Sequence, residues 1–120
     1  MSTQDELELG TLIVVVLKAR NLNDKHSFYK QDVFAQISLN GKTQRTPVDV
    51  KGGQHPMWDV EIRLPVMKAS EAKNRILEVS CWEKEPKTES ILGMYTYKTS
   101  TLYHSHHAIQ VKGRWISRRH

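Results

Sequence analysis

Cysteine and long apolar runs are the two features that this 120-residue sequence most clearly lacks. The single cysteine, Cys81, excludes an internal disulfide, whereas a small secreted domain usually carries several. The longest apolar run, residues 12–17, is far shorter than the roughly 20 residues of a membrane-spanning helix. The first ten residues are polar and acidic, unlike a secretory signal. We therefore expect one soluble, cytoplasmic domain with no transmembrane segment.

Acidic residues are absent from residues 94–120, although the chain has 13 of them in all. The lysines and arginines of this segment account for the whole net charge of +5. Such a segment attracts phosphates of lipids or nucleic acids, and the alternative is a solvated tail. We expect a polar lead over residues 1–8, a folded core over 9–93 and a basic, His-rich tail over 94–120. The tail either supplies the last strands or is disordered.

Alternation of apolar and polar residues predicts short strands in most of the chain. Residues 10–19 are β-branched and nearly all apolar, as in a buried central strand. Asn40-Gly41 is a strong hairpin signal. The other predicted strands are residues 32–39, 42–46, 58–66, 76–82 and 91–98, and residues 83–90 are predicted as a charged loop.

Six short strands separated by turn signals predict an all-β, antiparallel sandwich. A parallel βαβ architecture is excluded because no connection holds a full amphipathic helix. Beyond Lys98 the alternation fails, and only residues 109–117 could supply a closing strand. Without that strand one sheet would have an open edge, which invites pairing with another chain.

Four motifs in the right order resemble those of a C2 domain. They are Leu9-Gly10-Thr11-Leu12 with the exit Asn21-Leu22, then Lys30-Gln31-Asp32-Val33-Phe34, then Gly52-Gly53-Gln54-His55-Pro56-Met57-Trp58-Asp59, then Leu77-Glu78-Val79 with Trp82-Glu83-Lys84-Glu85 and Ile91-Leu92-Gly93. The resemblance covers residues 9–93. Within the family, the sequence most resembles the fungal C2 domains of the cytokinesis ingression-protein type. It implies a C2-like sandwich of type II topology whose C-terminal part is atypical, with the closing strands either supplied by the tail or incomplete.

The resemblance also implies where calcium would bind, at carboxylates in two loops at one tip. Asp32 matches one position of the first loop, and His26 stands where a second aspartate is usual, with Asp24 nearby. In the last loop the matching residues are Glu83 and Glu85, with Glu89 close to a third position. Calcium takes 6–8 oxygen ligands, so this reduced set predicts weak or absent calcium dependence. Calcium is an optional ligand, and no cofactor is required.

Basic and aromatic residues on the same loops predict contact with anionic lipid, because charges meet headgroups and rings sit at the membrane boundary. The first loop offers Lys25, Phe28, Tyr29 and Lys30, the last loop Lys84 and Lys87, and the middle hairpin Lys42 and Arg45. The alternative is an ordinary mixed-charge surface. His104, His106 and His107 invite a zinc interpretation, but structural zinc normally takes four ligands, so a solvated histidine run is favoured.

Enzyme motifs are missing: there is no Gly-x-Ser-x-Gly elbow, phosphate loop or zinc-protease helix. Cys81 alternates inward on a strand and is predicted to lie in the core. We therefore predict a peripheral membrane module that binds anionic phospholipid. The alternative is a calcium-independent protein–protein interaction or scaffold module, and nucleic-acid binding through the basic tail is the weakest hypothesis.

Overall fold

The computed structural model describes residues 8–23, 26, 29–67, 76–99 and 108–117, and these residues form seven strands. The strands are β1 (Glu8–Ala19), β2 (Val33–Leu39), β3 (Lys42–Arg45), β4 (Met57–Met67), β5 (Ile76–Lys84), β6 (Glu89–Lys98) and β7 (Ile109–Ser117). They pair into a three-stranded sheet of order β4-β1-β7 and a four-stranded sheet of order β3-β2-β5-β6. All of these pairings are antiparallel, so the predicted sandwich is confirmed.

Strand β1 is central, as its apolar sequence predicts. It pairs with β4 on one side and β7 on the other, so that Leu12 has Leu64 and Trp115 as its two neighbours. Its inward side chains meet those of the second sheet in a single core. That core is built from alternate residues, including Val14, Val16, Val33, Ile37, Leu39, Leu64, Leu77, Val79, Ile109 and Val111.

The hairpin between β2 and β3 has the turn that its sequence predicts. Asn40 and Gly41 have φ values of 52° and 79°, the pair of left-handed conformations that a tight two-residue hairpin requires. The turn fixes the register, in which Leu39 pairs with Lys42 and Gln36 with Arg45. Arg45 is thereby placed beside the residues of β2 that point away from the core.

The predicted charged loop over residues 83–90 was wrong at both ends. Glu83 and Lys84 belong to β5, while Glu89 and Ser90 begin β6, so only four residues connect the two strands. The reason is that antiparallel pairing continues past the apolar residues, with Val33 opposite Glu83 and Lys84 opposite Glu89. Alternation on β5 then carries Glu83 to the same face as Val79 and Cys81, where it is buried.

Strand β7 completes the three-stranded sheet. It consists of residues 109–117, the segment that the sequence indicated as the possible closing strand. Its first residue is tied to the other sheet, because the buried Tyr97 hydroxyl donates a hydrogen bond to the Ile109 carbonyl at 2.9 Å. The C-terminal end of β7 packs on Gly10 of β1. A Cβ added to Gly10 would lie 2.3 Å from the Ile116 carbonyl oxygen and 2.7 Å from the Trp115 ring. Within the described ranges, no helix is long and apolar enough to cross a membrane.

Replacing Gly10 with alanine tests this packing. We expect G10A to lower the free energy of unfolding by about 1–3 kcal/mol, because the new methyl group overpacks a backbone carbonyl. Gly93→Ala is the matched control, since a Cβ there meets only Leu22 at an ordinary 3.9 Å. Urea unfolding of both variants measures the difference. A G10A protein as stable as G93A would contradict the β1–β7 packing.

Candidate functional site

Three connections lie at one end of the sandwich and form what we term the loop tip: loop one (residues 20–32), loop two (residues 46–56) and loop three (residues 85–88). Backbone hydrogen bonds join loops one and two, from Leu22 N to Gln54 O at 3.1 Å and from Gly53 N to Gln31 O at 2.9 Å. Loop one also meets the end of β5, where Lys84 N donates to Asp32 O at 2.8 Å. The tip is therefore a connected surface of three loops.

Gln31 is the buried residue that holds loops one and two together. Its amide nitrogen donates to the carbonyls of Asn23 at 2.7 Å and Gly53 at 3.3 Å. Next to these loops, Trp58 of β4 links the two sheets, because its indole N–H donates to the carbonyl of Val33 on β2 at 3.2 Å. Hydrogen bonds from buried side chains to backbone carbonyls stabilise the protein and also restrict the positions of the loops. The loops of the tip are therefore held in a defined arrangement.

The most deeply buried charged group at the tip is the carboxylate of Glu83, which is 1% exposed. Its Oε2 pairs with Nε2 of His26 from loop one. A carboxylate taken out of water needs such a partner, since an unpaired buried charge is strongly destabilising. His26 therefore closes the end of the core at the position where the sequence led us to expect a calcium ligand of another kind.

Tyr29 stacks on His26, with ring centroids 4.3 Å apart, and reports the electrostatics of this corner. Protein atoms that displace water from its hydroxyl raise the pKa of Tyr29, and the charges of Glu83, Glu85 and Asp32 raise it further. These three carboxylates are thus close enough to act on one group. The inner side of the tip is an electronegative corner.

Two predicted calcium ligands have other partners. The Asp32 carboxylate accepts a hydrogen bond from Lys51 N at 2.8 Å. Glu89 lies on β6, where its Oε2 accepts hydrogen bonds from Arg45 at 3.0 Å and Lys84 at 3.4 Å. Of the described residues, only His26, Glu83 and Glu85 group as metal-ligand donors, with donor atoms all within 4.8 Å of one another.

A second feature, which we term the basic groove, lies beside loop three on the outward face of the four-stranded sheet. It encloses about 490 Å³. Its lining is Gln36, Arg45, Trp82, Lys84, Pro86, Lys87, Thr88 and Glu89. Three cations, one carboxylate and an indole therefore line one concave surface, where a negatively charged group would meet several donors at once.

Arg45 is held in a fixed orientation in the groove. Its guanidinium lies 4.8 Å from the centre of the Phe34 ring and donates from Nε to the Gln36 side chain at 2.9 Å. The hydrogen bond from Arg45 lowers the pKa of Glu89, and the bond from Lys84 lowers it further. Glu89 therefore remains ionised at neutral pH. It pairs with Arg45 and Lys84 and so competes with an external anion for these two cations.

The remaining predicted lipid-contact residues are distributed unevenly. Lys30 and Tyr29 line a separate hollow with Gly52, Gly53, Gln54 and His55, away from the basic groove. Lys42 lies at the far end of β3 from Arg45, so these two residues are not adjacent. Asp24, Lys25 and Phe28, like His104, His106 and His107, lie outside the described residues.

Sequence reasoning missed two contributors. One is Trp82, which forms a wall of the groove while its N–H donates to the Ser80 hydroxyl at 2.8 Å. The other is the turn at residues 49–52, closed by Gly52 N to Asp49 O, which presents Val50 with 66% of its surface exposed beside Lys51. Val50, an isolated apolar residue between Asp49 and Lys51, gave no alternation signal, and only its exposure distinguishes it.

Burial raises the pKa of the Cys81 thiol to about 12. The thiolate, which is the nucleophilic form, is therefore scarce at neutral pH. Its position in the hydrophobic core agrees with the core role expected for this residue.

Comparison with known proteins identifies the architecture. The family model of the C2 domain matches residues 10–115. The ingression protein fic1 of Schizosaccharomyces pombe is 36% identical over 59 residues, which are 48% of this chain and 22% of that protein. A calcium-dependent lipid-binding protein of Arabidopsis thaliana is 29% identical over 100 residues, 81% of this chain and 19% of that protein. The chain thus spans about a fifth of each of these relatives.

A solved structure gives the same result for the fold. A C2 domain of plant extended synaptotagmin 1 superposes with a TM-score of 0.78 at 19% identity, covering 94% of this chain and 98% of that one. At this identity the likeness concerns the fold alone. It nevertheless extends over nearly the whole length of both chains, so the two sheets share one arrangement of strands.

The His26–Glu83 pair predicts a large stability effect from a half-buried loop residue. Replacing His26 with alanine leaves the Glu83 carboxylate buried without its partner, so H26A should lower the free energy of unfolding by about 1.5–3 kcal/mol. His55→Ala is the control, because His55 is exposed and its removal costs only the exposed hydrogen bond that its Nδ1 accepts from Asn21 N at 3.3 Å. Urea unfolding in the presence of chelator compares them. Equal stability of H26A and H55A would refute the pairing.

Proposed function

The chain belongs to the C2 domain family, and from this premise we propose that it is a non-enzymatic, peripheral membrane module that binds anionic phospholipid from the cytoplasmic side. The observation that carries the proposal is the basic groove, in which Arg45, Lys84 and Lys87 line one concave surface beside loop three. The comparisons support it in kind, since one relative is named as a lipid-binding protein. The alternative is a protein-interaction module, which the experiment below separates.

The cations of the groove supply the attraction. Each lysine or arginine near an anionic membrane surface contributes about 1 kcal/mol, so the three together favour binding by about 3 kcal/mol before competition from Glu89. Arg45 offers a planar, oriented fork of donors, while Lys84 and Lys87 act as point charges. This combination suits a headgroup phosphate that enters the groove.

Apolar and aromatic groups near the groove and tip supply a second contribution. Trp82 walls the groove, and Val50 protrudes from loop two beside Lys51. Tyr29, 57% exposed, projects from loop one. Amphipathic rings settle at the boundary between headgroups and acyl chains, and an exposed valine gains by leaving water. The three positions orient the tip toward the bilayer.

We propose that this binding does not require calcium. Calcium takes 6–8 oxygen ligands, whereas the donors that cluster at the tip among the described residues are one imidazole and two carboxylates. Asp32 accepts a hydrogen bond from the Lys51 backbone, and Glu89 is paired with Arg45 and Lys84. This donor set does not fit calcium, and attraction between the groove and the headgroups replaces an ion bridge.

Vesicle co-sedimentation tests the proposal. We expect binding to vesicles with phosphatidylserine but not to pure phosphatidylcholine, equally in calcium and in chelator. The double variant K84A/K87A should bind about 30-fold more weakly, because two charges of about 1 kcal/mol each are lost. The matched control is K18A/K112A, which removes two exposed lysines from the other sheet and should bind like the unmodified protein.

The outcomes separate the hypotheses. Binding that requires calcium would overturn the calcium-independent mechanism. Equal losses in the two double variants would show that total charge, and not the groove, governs binding. A folded protein that binds no vesicle in any condition would refute the lipid function and favour the protein-interaction alternative.

Glu89 should act in the opposite direction to the lysines. Replacing it with glutamine frees Arg45 and Lys84 from an internal anion, so E89Q should bind anionic vesicles about fivefold more tightly, which corresponds to one charge of about 1 kcal/mol. The low pKa of Glu89 means that its charge is present at neutral pH, so the gain is measurable there. Glu61→Gln, which removes an exposed carboxylate from the other sheet, is the control. Weaker binding of E89Q to anionic vesicles would contradict the groove mechanism.

A further inference from the structure

Glu83 has one carboxylate oxygen that the rest of the described structure leaves without a hydrogen-bond partner. The side chain is 1% exposed, and its Oε1 is buried and unsatisfied among the described residues, while Oε2 pairs with His26. Buried polar atoms are nearly always satisfied, so such an exception calls for a ligand or another physical reason. An anionic oxygen with unused lone pairs attracts a cation above all other ligands.

Two further donors stand beside that oxygen. His26 offers an imidazole nitrogen and Glu85 a second carboxylate, and one ligand atom from each of the three residues lies within 4.8 Å of the others. Ligand atoms around a tetrahedral zinc ion are about 3.4 Å apart, given bonds of about 2.0–2.2 Å. The three donors are therefore grouped closely enough for one ion to lie among them.

The donors come from elements of different rigidity. Glu83 is fixed by the β2–β5 ladder, where it pairs with Val33, and so provides a stationary ligand. Glu85 follows in loop three, whose turn is closed by Glu85 N donating to Thr88 O at 2.9 Å. His26 lies in loop one under the ring of Tyr29. One fixed carboxylate and two loop donors can therefore adjust to an ion without moving the sandwich.

We propose that His26, Glu83 and Glu85 form a binding site for a divalent transition-metal ion of the zinc class, and that this site selects such an ion over calcium. Imidazole is a good ligand for zinc and a poor one for hard cations, which prefer oxygen alone. One neutral imidazole and two carboxylates balance a dipositive charge in a partly buried site. Three protein ligands leave the fourth tetrahedral position to water.

The electrostatics of the corner agree with a cation. Glu83, Glu85 and Asp32 all lie close enough to act on Tyr29, whose pKa is raised first by the displacement of water from its hydroxyl and then by these three charges. A dipositive ion there would also use the buried Oε1 of Glu83, to which no described group donates a hydrogen bond. The ion would take the place of the proton between His26 and Glu83, so uptake would be linked to loop one as well as to loop three.

Isothermal titration of the metal-free protein tests the proposal without any lipid. The titrated protein carries H104Q, H106Q and H107Q, so that these histidines cannot bind the ion themselves. We expect one Zn²⁺ per chain, bound at least tenfold more tightly than Ca²⁺. H26Q and E85Q should each weaken Zn²⁺ binding at least tenfold, whereas H55Q, in loop two, should leave it unchanged.

A second measurement needs no change at the site. In ¹⁵N NMR spectra, one equivalent of Zn²⁺ should shift the imidazole nitrogens of His26, and Ca²⁺ should not. Zn²⁺ binding that survives both H26Q and E85Q, a His26 resonance indifferent to Zn²⁺, or Ca²⁺ binding as tight as Zn²⁺ would overturn the proposal. Because vesicles are absent, failure here leaves the lipid function standing, and failure of vesicle binding leaves the metal site standing.

Discussion

The pairing of β1 on both of its edges is the constraint on which the rest of the structure depends. Each of its backbone groups must find a partner, and the partners come from β4 and from β7, which are separated by more than forty residues of chain. Once β1 is enclosed, its end at Ala19 fixes where loop one begins, and the β4 end at Met57 fixes where loop two finishes. The loop tip is thus a consequence of sheet registration, and the hydrogen bonds of Gln31 and Gln54 then join loops that registration has already brought together.

Alternation along β5 separates the two chemistries of the tip. Glu83 faces the core and Lys84 the outward face, although they are neighbours in the chain. The inward position continues the series Val79, Cys81, so its carboxylate becomes a buried anion that loop one must cover. The outward position continues the series Ser80, Trp82, so its ammonium joins Arg45 across the sheet. One short strand end therefore generates an electronegative corner and a cationic groove back to back.

The fold was largely predictable because its signals are local. Periodicity located six strands, Asn40-Gly41 specified a hairpin, and the motif from Gly52 to Trp58 marked loop two. The candidate site was less predictable, since its contacts depend on long-range register. His26 and Glu83 are 57 residues apart, and although the family pattern placed both positions at one tip, it did not indicate that the imidazole pairs with the carboxylate. Arg45 was predicted only as a basic residue of the middle hairpin, and its ion pair with Glu89 on β6 depends on the register of the four-stranded sheet.

The pairing of Gly10 with Ser117 has a mechanical consequence. The outer ends of the first and last strands lie side by side, at the end of the sandwich opposite the loop tip. The Gly10–Ser117 pair is therefore separated from the loop tip by the length of β1. Tension between these two strand ends would load the Gly10–Ser117 pair first and then open the β1–β7 ladder one pair at a time. In such an unzipping geometry the pairs break one after another, whereas in shear all pairs break together.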